Sequence, residues 1–167
     1  MLDANFTHPA GGSDTDTAPD LIVAYCATIP FSAVCEAVHA TLAGSLPFPD
    51  IVRHLLGADV EYYHVDYILL QFTFYGANAA SVVAPLTFEG LPAVAKDLDA
   101  VALRQAILNS QQKGQPPYRE FSQRAMRAGV QGYFAFLKGT RVTYLGRQGD
   151  QHTEWFPGAE RKANLRD

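Results

Sequence analysis

Residues 60–76, VEYYHVDYILLQFTFYG, decide the fold, because a related pattern returns 70 positions later in residues 130–146, VQGYFAFLKGTRVTYLG. Both segments are rich in β-branched and aromatic residues that alternate with polar ones, which is typical of strands with one buried face. A short turn interrupts each segment, at residues 68–69 in the first and at residues 138–139 in the second. The sequence therefore predicts two β-hairpins.

Val60 corresponds to Val130, an offset of 70 residues that we call the repeat offset. The correspondence between the two halves extends beyond the hairpins. Seven residue pairs are identical at this offset: Gly44/Gly114, Pro47/Pro117, Ala58/Ala128, Val60/Val130, Tyr63/Tyr133, Thr73/Thr143 and Gly76/Gly146. Roughly three or four identities would arise by chance over such a span, and these fall at glycine, proline and core-type positions, where backbone geometry and packing restrict the residue. We therefore predict an internal duplication with copies at about residues 31–87 and 101–157, and we expect a site to form where the halves meet.

Each copy begins with two helices. In the first copy, an apolar stripe at helical spacing predicts a helix that starts after Pro30 and ends at Gly44, and a second helix starts at Pro49. In the second copy we expect helices at residues 99–112 and 118–128. Three strands follow in each copy: residues 60–67, 70–75 and 81–86 in the first, and 130–137, 140–145 and 151–156 in the second. The predicted fold class is α+β, an internal duplication of an α-α-β-β-β unit whose antiparallel meanders have helices packed on one face.

The segments outside the predicted duplicated domain differ from it in composition. Residues 1–20 are rich in Gly, Pro, Ser, Thr and Asp, so we expect residues 1–30 to form a flexible N-terminal extension. Within it, the apolar run at residues 21–29 is too short to distinguish a strand from a first helical turn. We expect residues 31–157 to form the single domain and residues 158–167 to form a polar tail.

Length and composition favour one soluble globular domain. A chain of 167 residues with 48% hydrophobic and 18% charged residues can bury a substantial core. It has no apolar stretch of the roughly 20 residues that cross a bilayer, and no Lys or Arg precedes Arg53, which argues against a secretory signal. The two cysteines, Cys26 and Cys35, match neither a disulfide framework nor zinc spacing. These features predict a cytoplasmic protein without membrane association.

The charges are divided unevenly along the chain. Residues 1–103 carry 2 basic and 12 acidic side chains, a net charge of −10, whereas residues 104–167 carry 11 basic and 5 acidic ones, a net charge of +6. Such asymmetry can mark a nucleic-acid surface. The arginines of the second half form no dense run, however, so we favour attraction between the halves or solvated faces over nucleic-acid binding.

Strand alternation assigns side chains to two faces of the predicted sheet. One face is mostly apolar and should lie beneath the helices: Tyr63, Val65, Tyr67, Leu70, Phe72, Phe74, Tyr133, Ala135, Leu137, Val142, Tyr144 and Trp155. The opposite, open face carries the remaining strand residues: Tyr62, His64, Asp66, Gln71, Thr73, Tyr75, Phe134, Phe136, Arg141, Thr143, Leu145, His152, Glu154 and Phe156.

The pairing across the turns selects a candidate site on the open face. A tight hairpin predicts the pairs Asp66/Gln71, His64/Thr73 and Tyr62/Tyr75, and the longer turn at residues 147–150 predicts the pair Thr143/Glu154. If the two meanders join side by side, His64, Asp66, His152 and Glu154 converge on one polar surface. The candidate binding or catalytic surface is Tyr62, His64, Asp66, Thr73, Tyr75, Arg141, Thr143, His152 and Glu154.

Four hypotheses fit this surface. The residues His64, Asp66, His152 and Glu154 are adequate ligands for a divalent metal, and a histidine–carboxylate couple could serve general acid–base catalysis. Alternatively, the polar residues only pair across the strands of a half-solvated face, or the exposed rings form a binding surface for a peptide, a small ligand or a partner chain. The chain contains neither a phosphate-binding P-loop nor GxGxxG, so no nucleotide cofactor is expected.

Two motif blocks carry a family resemblance. The first is YHVDY at residues 63–67, preceded by a helix that ends in GADVE at residues 57–61, and the second is residues 118–157, which end in His-x-Glu-x-x-Pro. Over roughly residues 31–157 the chain resembles an uncharacterised bacterial family labelled phage envelope protein, or YbcV-like, which is grouped as a domain of unknown function. The resemblance implies a small soluble α+β protein of the bacterial cytoplasm and supplies no activity. If its motif blocks mark a functional surface, the transferred residues are His64, Asp66, His152 and Glu154.

The sequence thus predicts a soluble bacterial accessory protein that binds a small molecule or another protein on the open sheet face. The first alternative is a hydrolase- or isomerase-like enzyme that uses the histidine–carboxylate residues, with or without a metal. The second alternative is nucleic-acid binding through the basic half. Pairing between the edge strands of two copies would also allow a homodimer.

Overall fold

In the computed structural model, which describes residues 23–25, 29–112 and 117–159, the helices form two packed pairs. Their bounds are α1 Phe31–Ala43, α2 Phe48–Gly57, α3 Ala100–Ser110 and α4 Tyr118–Arg127. Helix α1 ends at Gly44, which has a φ of 63° as a left-handed C-terminal cap requires. Helix α3 starts at Asp99, whose carboxylate accepts hydrogen bonds from the N–H groups of Val101 and Ala102.

The strands of the described residues form one antiparallel sheet. Their bounds are β1 Val23–Tyr25, β2 Val60–Asp66, β3 Gln71–Gly76, β4 Ser81–Pro85, β5 Val130–Phe136, β6 Arg141–Gly146 and β7 Gln151–Trp155. The order across the sheet is β1-β4-β3-β2-β5-β6-β7, so each half contributes one meander and the halves meet at β2 and β5. The predicted α+β fold class is confirmed.

The two halves share an element order and a spacing. Helix α4 and strands β5, β6 and β7 begin and end at the repeat offset from α2, β2, β3 and β4, respectively. Both halves also contain a register irregularity at the same place, between Val60 and Tyr62 in β2 and between Val130 and Gly132 in β5. The two halves therefore have like topologies, and the internal duplication that would explain this likeness stays a prediction.

Antiparallel pairing of β2 with β5 joins the halves. His64 pairs with Phe134, its own counterpart at the repeat offset, so an approximate two-fold axis passes through this residue pair. Gly132 allows the two strands to come this close, because a Cβ atom on it would lie 2.5 Å from the carbonyl oxygen of Val65. The sheet is thus continuous across the axis, and all four helices pack against one face of it.

The core lies between that face and the helices. The predicted apolar face is confirmed for ten residues, which are all buried: Tyr63, Val65, Tyr67, Phe72, Phe74, Tyr133, Ala135, Leu137, Val142 and Tyr144. Two predicted core residues are wrong. Leu70 lies in the turn between β2 and β3 with a φ of 53° and is 37% exposed, because the turn spans four residues, 67–70, rather than two. Trp155 lies opposite Arg141 on the open face, because β7 has a different register from the predicted one.

The N-terminal segment departs from the predicted flexible extension over residues 1–30. Val23–Tyr25 form β1, which pairs with β4, because the edge of a meander offers backbone groups that an extended segment can satisfy. Residues 1–22, 26–28, 113–116 and 160–167 lie outside the described residues, and with them Cys26, the predicted helix end at Gly114 and most of the polar tail. Within the described ranges, no helix has both the length and the apolar character that spanning a membrane requires.

The joint between β2 and β5 predicts the effect of a methyl group at Gly132. Gly132→Ala should lower the free energy of unfolding by about 1–3 kcal/mol, because the added Cβ must push two paired strands apart. Urea denaturation followed by far-UV circular dichroism measures this change. The matched control is Gly57→Ala at the end of α2, where a Cβ meets nothing within 4 Å. That variant should be neutral or stabilised by up to about 1 kcal/mol; equal stability of the two variants would contradict the close approach.

Candidate functional site

The hairpin of β2 and β3 has the predicted register. Its open-face pairs are Tyr62/Tyr75, His64/Thr73 and Asp66/Gln71. The rings of Tyr62 and Tyr75 stack with their centroids 4.6 Å apart. These six residues therefore share the open face, as the strand alternation predicts.

His64 and Asp66 make separate contacts on this face. The His64 ring stacks on Phe134 with the centroids 4.3 Å apart, and burial lowers the pKa of His64, an effect that the nearby charge of Asp66 partly offsets. Asp66 accepts hydrogen bonds from the backbone N–H groups of Ile68 and Leu69 at 2.8 and 2.9 Å. Its carboxylate therefore holds the hairpin turn, which is a structural role.

Strand β7 lies one residue away from the predicted register. Thr143 pairs with Thr153, and their Oγ1 atoms are 3.1 Å apart, whereas the prediction paired Thr143 with Glu154. The turn before β7 contains Gly149 with a φ of 88°, which sets this pairing. Since a shift of one residue moves every side chain of a strand to the other face, the predicted faces of His152, Glu154 and Phe156 are wrong, as is that of Trp155.

The correction separates the predicted cluster. His152 and Glu154 lie opposite Tyr144 and Val142 on the helix-covered face, while His64 and Asp66 lie on the open face. The four residues do not converge, so the predicted metal site His64, Asp66, His152 and Glu154 is wrong. Among the described residues, no group of three or more His, Cys, Asp or Glu side chains could hold a metal ion.

Arg141 and Thr143 remain on the open face and contact other side chains there. The Arg141 guanidinium lies 5.6 Å from the ring centroid of Phe136 and 5.5 Å from that of Trp155. Thr143 contacts Thr153. These residues form cross-strand pairs, which is the structural hypothesis of the sequence analysis.

A cavity of about 670 Å³ lies on the other side of the sheet, beneath the helices. Small-molecule sites commonly have volumes of roughly 300–1,000 Å³. Its walls come from the C-terminal ends of α1 and α3, the N-terminal ends of α2 and α4, and residues of β2, β5, β6 and β7. The aromatic lining residues on the helix-covered side are Phe48, Tyr63, Tyr118, Phe121, Tyr133, Tyr144 and Phe156, and the polar ones include Thr41, Ser45, Ser110, Gln111 and Glu154. Trp155 also borders the cavity, although its ring lies beside Arg141 on the open face.

The cavity spans the approximate two-fold axis. Several lining residues form pairs that the repeat offset relates: Pro47/Pro117, Phe48/Tyr118, Ile51/Phe121 and Tyr63/Tyr133. The cavity therefore lies where the two halves meet, as expected, but on the opposite face of the sheet from the predicted surface. Sequence reasoning placed Tyr63, Tyr133 and Tyr144 on the buried face without distinguishing the residues that line a void.

Five tyrosines form a group that we call the tyrosine cluster: Tyr63, Tyr118, Tyr133 and Tyr144 line the cavity, and Tyr67 lies next to Tyr133 with the ring centroids 6.1 Å apart. All five are buried except Tyr118, which is half-buried. The hydroxyl oxygens of Tyr118 and Tyr133 are 2.7 Å apart, and the Tyr67 hydroxyl donates to Ser122 Oγ at 3.1 Å. Burial is the main cause that raises the pKa of all five phenols, to about 12 for Tyr67. The cluster therefore offers neutral hydroxyl groups.

Glu154 is the one charged residue among the described residues that line the cavity. Its Oε1 accepts a hydrogen bond of 2.7 Å from Nε2 of His152, and the two side chains are 33% and 15% exposed, respectively. The corresponding residues of the first half are Val82 and Ala84, which are 2% and 0% exposed in the core. The second half thus has a hydrogen-bonded polar couple where the first half has apolar packing.

The sequence contained a signal for the correct face of His152 and Glu154. The repeat offset maps them onto Val82 and Ala84, the apolar side of strand β4. That mapping places both on the helix-covered face, in agreement with the observed pairing of β6 with β7. Chemically, the Glu154 carboxylate can bind a cation or accept a proton inside the cavity, with His152 holding it in place.

A second depression of about 540 Å³ is lined by apolar residues together with Tyr67, Gln131 and Arg147. Arg147 donates a hydrogen bond to the carbonyl oxygen of Val94 at 3.4 Å. Its charge is therefore used within the fold. The cavity on the two-fold axis is the better candidate because its polar groups converge on an aromatic interior.

Comparison of the chain with protein-family models and with curated proteins found no matching family and no matching relative. The resemblance to the phage envelope protein, or YbcV-like, family therefore stays a prediction from the two motif blocks. The geometry of the cavity is the basis for the function proposed here.

The tyrosine cluster predicts the response to alkali. A free tyrosine has a pKa of about 10. The stabilisation that the neutral phenols of the cluster give the folded state is therefore complete below about pH 10, and it is lost as the pH rises through the raised pKa values of the folded protein. The free energy of unfolding, measured by urea denaturation, should fall between about pH 10 and pH 12, the pKa of Tyr67. Absorbance at 295 nm should show that these five phenols ionise only as the protein unfolds. Reversible ionisation of all eight tyrosines near pH 10 in the folded protein would contradict it.

The turn contacts of Asp66 predict a structural effect of its substitution. Asp66→Ala should lower the free energy of unfolding by about 1 kcal/mol, because two backbone N–H groups lose their acceptor. Asp66→Asn, whose amide oxygen can accept the same bonds, should retain most of the stability. Urea denaturation of the two variants makes the comparison, and an equal loss in both would show that the charge matters rather than the acceptor.

Proposed function

We propose that this protein binds a small molecule with an apolar or aromatic body in the cavity between the helices and the sheet. The observation that carries the proposal is the cavity itself, about 670 Å³ in volume and lined by aromatic residues of α2, α4, β2, β5 and β6. Ligand sites are typically concave, largely apolar and supplied with a few placed polar groups. The hydroxyl groups of Tyr118 and Tyr133 and the carboxylate of Glu154 supply such groups.

Access from solvent supports the proposal. Leu46, at the start of the connection into α2, is 46% exposed and also lines the cavity. Gln111, at the end of α3, is exposed and lines it as well. A ligand can therefore enter between the ends of the two helix pairs.

The proposal keeps small-molecule binding from the sequence analysis and moves the site to the helix-covered face. The enzyme alternative used four histidine and carboxylate residues on one surface, and only the His152–Glu154 couple still lies at the cavity. Catalysis therefore has less support than binding.

Nucleic-acid binding has less support because many basic side chains of the second half have partners within the fold. Arg119 donates to the carbonyl oxygen of Glu89, Arg124 pairs with Glu120, and Lys138 pairs with Glu61 at 2.9 Å. Arg141 and Arg147 have the contacts described above. Among these contacts, the Lys138–Glu61 pair joins opposite charges of the two halves, whereas Arg124 and Glu120 both belong to the second half.

The neutral fluorescent probe N-phenyl-1-naphthylamine tests the proposal. The wild-type protein should bind it saturably with a stoichiometry of one, which fluorescence titration measures. Ser110→Trp places a large ring at a lining position of α3 and should weaken binding by roughly tenfold or more, which corresponds to about 1.4 kcal/mol.

The matched control is Leu108→Trp, which adds the same ring two residues earlier in α3 at a position that is 50% exposed. It should bind the probe as the wild type does. Absence of saturable binding to the wild type would contradict the proposal. Binding that survives Ser110→Trp unchanged would also contradict it, because the site would then lie elsewhere.

A further inference from the structure

We infer that the ligand of this cavity is an organic cation, an amine or a quaternary ammonium compound with an aromatic or apolar body, whose charge lies against Glu154. This inference rests on the proposed function, because it names the class of molecule that the same cavity selects.

Among the described lining residues, the formal charge comes from Glu154. Its neighbours in the described lining are apolar, aromatic or neutral polar residues. His152 donates to Oε1 and thereby orients the carboxylate, so that the second oxygen, Oε2, is the one that a ligand would meet. A carboxylate beside so much apolar surface loses hydration, and an opposite charge compensates that loss.

The helix dipoles do not reverse this potential. The N-terminal ends of α2 and α4, at Phe48 and Tyr118, border the cavity and contribute partial positive charge. The C-terminal ends of α1 and α3, at Ala43 and Ser110, border it as well and contribute partial negative charge. Because two ends of each sign surround the cavity, their contributions largely cancel and the charge of Glu154 dominates.

The aromatic lining favours the same class of ligand. The faces of Tyr, Phe and Trp rings attract cations, and this attraction is strongest where water is excluded. The rings of Tyr133 and Tyr144 lie 5.4 Å apart, and Tyr133 also contacts Tyr63 and Phe121. Tyr144 and Glu154 line the same cavity, and Tyr144 pairs across the strands with His152, the hydrogen-bond partner of Glu154. A cation can therefore meet a carboxylate and several π-faces at once.

The charge of Glu154 has no counterpart across the approximate two-fold axis. The positions equivalent to His152 and Glu154 in the first half are Val82 and Ala84. The described lining is thus charged on one side of the axis and uncharged on the other. A ligand with one charged end and an apolar body matches that distribution.

Two probes of nearly identical shape and opposite charge test the inference: tetraphenylphosphonium and tetraphenylborate. Isothermal titration calorimetry with the wild-type protein should give a dissociation constant for the phosphonium at least roughly tenfold lower than that for the borate. Glu154→Gln keeps the size of the side chain and removes the charge, so the preference should fall to about twofold or less. Glu89→Gln, which removes the same charge from an exposed loop position, should keep the wild-type preference.

The neutral probe N-phenyl-1-naphthylamine separates failure of the inference from failure of the proposed function. Glu154→Gln should still bind it, which shows that the cavity is intact in that variant. If the wild type binds the neutral probe but does not prefer the phosphonium, the inference is overturned and the proposed function stands. If the wild type binds neither probe, both are overturned. A preference that persists in Glu154→Gln would overturn the assignment of the charge to this residue.

Discussion

The antiparallel pairing of β2 with β5 is the constraint on which the rest of the structure depends. It is centred on His64 and Phe134 and converts two separate meanders into one continuous sheet. Neither half alone would bury much apolar surface, since small domains bury a smaller fraction of their chain. Once the strands are joined, both helix pairs pack against the same face, and the ends of the four helices surround one cavity on the axis between them. Gly132 allows that joint, because any larger side chain would meet the carbonyl oxygen of Val65.

The departure from symmetry is the basis of the proposed class of ligand. Several lining residues form pairs with similar roles in the two halves, such as Tyr63 with Tyr133 and Ile51 with Phe121. On β4 and β7 the halves differ in polarity, because Val82 and Ala84 correspond to His152 and Glu154. Burying part of a polar couple costs desolvation energy that apolar residues avoid. Stability therefore does not explain this difference, whereas the proposed recognition of a ligand would.

The sequence predicted the register of one hairpin and missed that of another for a physical reason. In β2 and β3 the residues facing the helices are strongly apolar or aromatic, so a one-residue slip would bury His64 and Thr73 in place of Val65 and Phe72. In β7, QHTEW, polar residues occupy both faces, and hydrophobic burial does not select the register. The geometry of the turn at Gly149 and the pairing with β6 select it instead. The incorrect register assigned four side chains of this segment to the wrong face. It also predicted one site from two pairs, His64 with Asp66 and His152 with Glu154, that lie on opposite faces of the sheet.

The sequence by itself determined the local elements, their correspondence between the two halves at a fixed offset, and the division of most strands into an apolar and a polar face. These features follow from the periodicity of side chains along a helix or a strand, which is a property of neighbouring residues. Only the tertiary structure decided which face His152 and Glu154 occupy and that the aromatic residues of five different elements leave a cavity between them. Such a cavity depends on how surfaces from distant parts of the chain fit together, and no local pattern encodes the space that remains when they do.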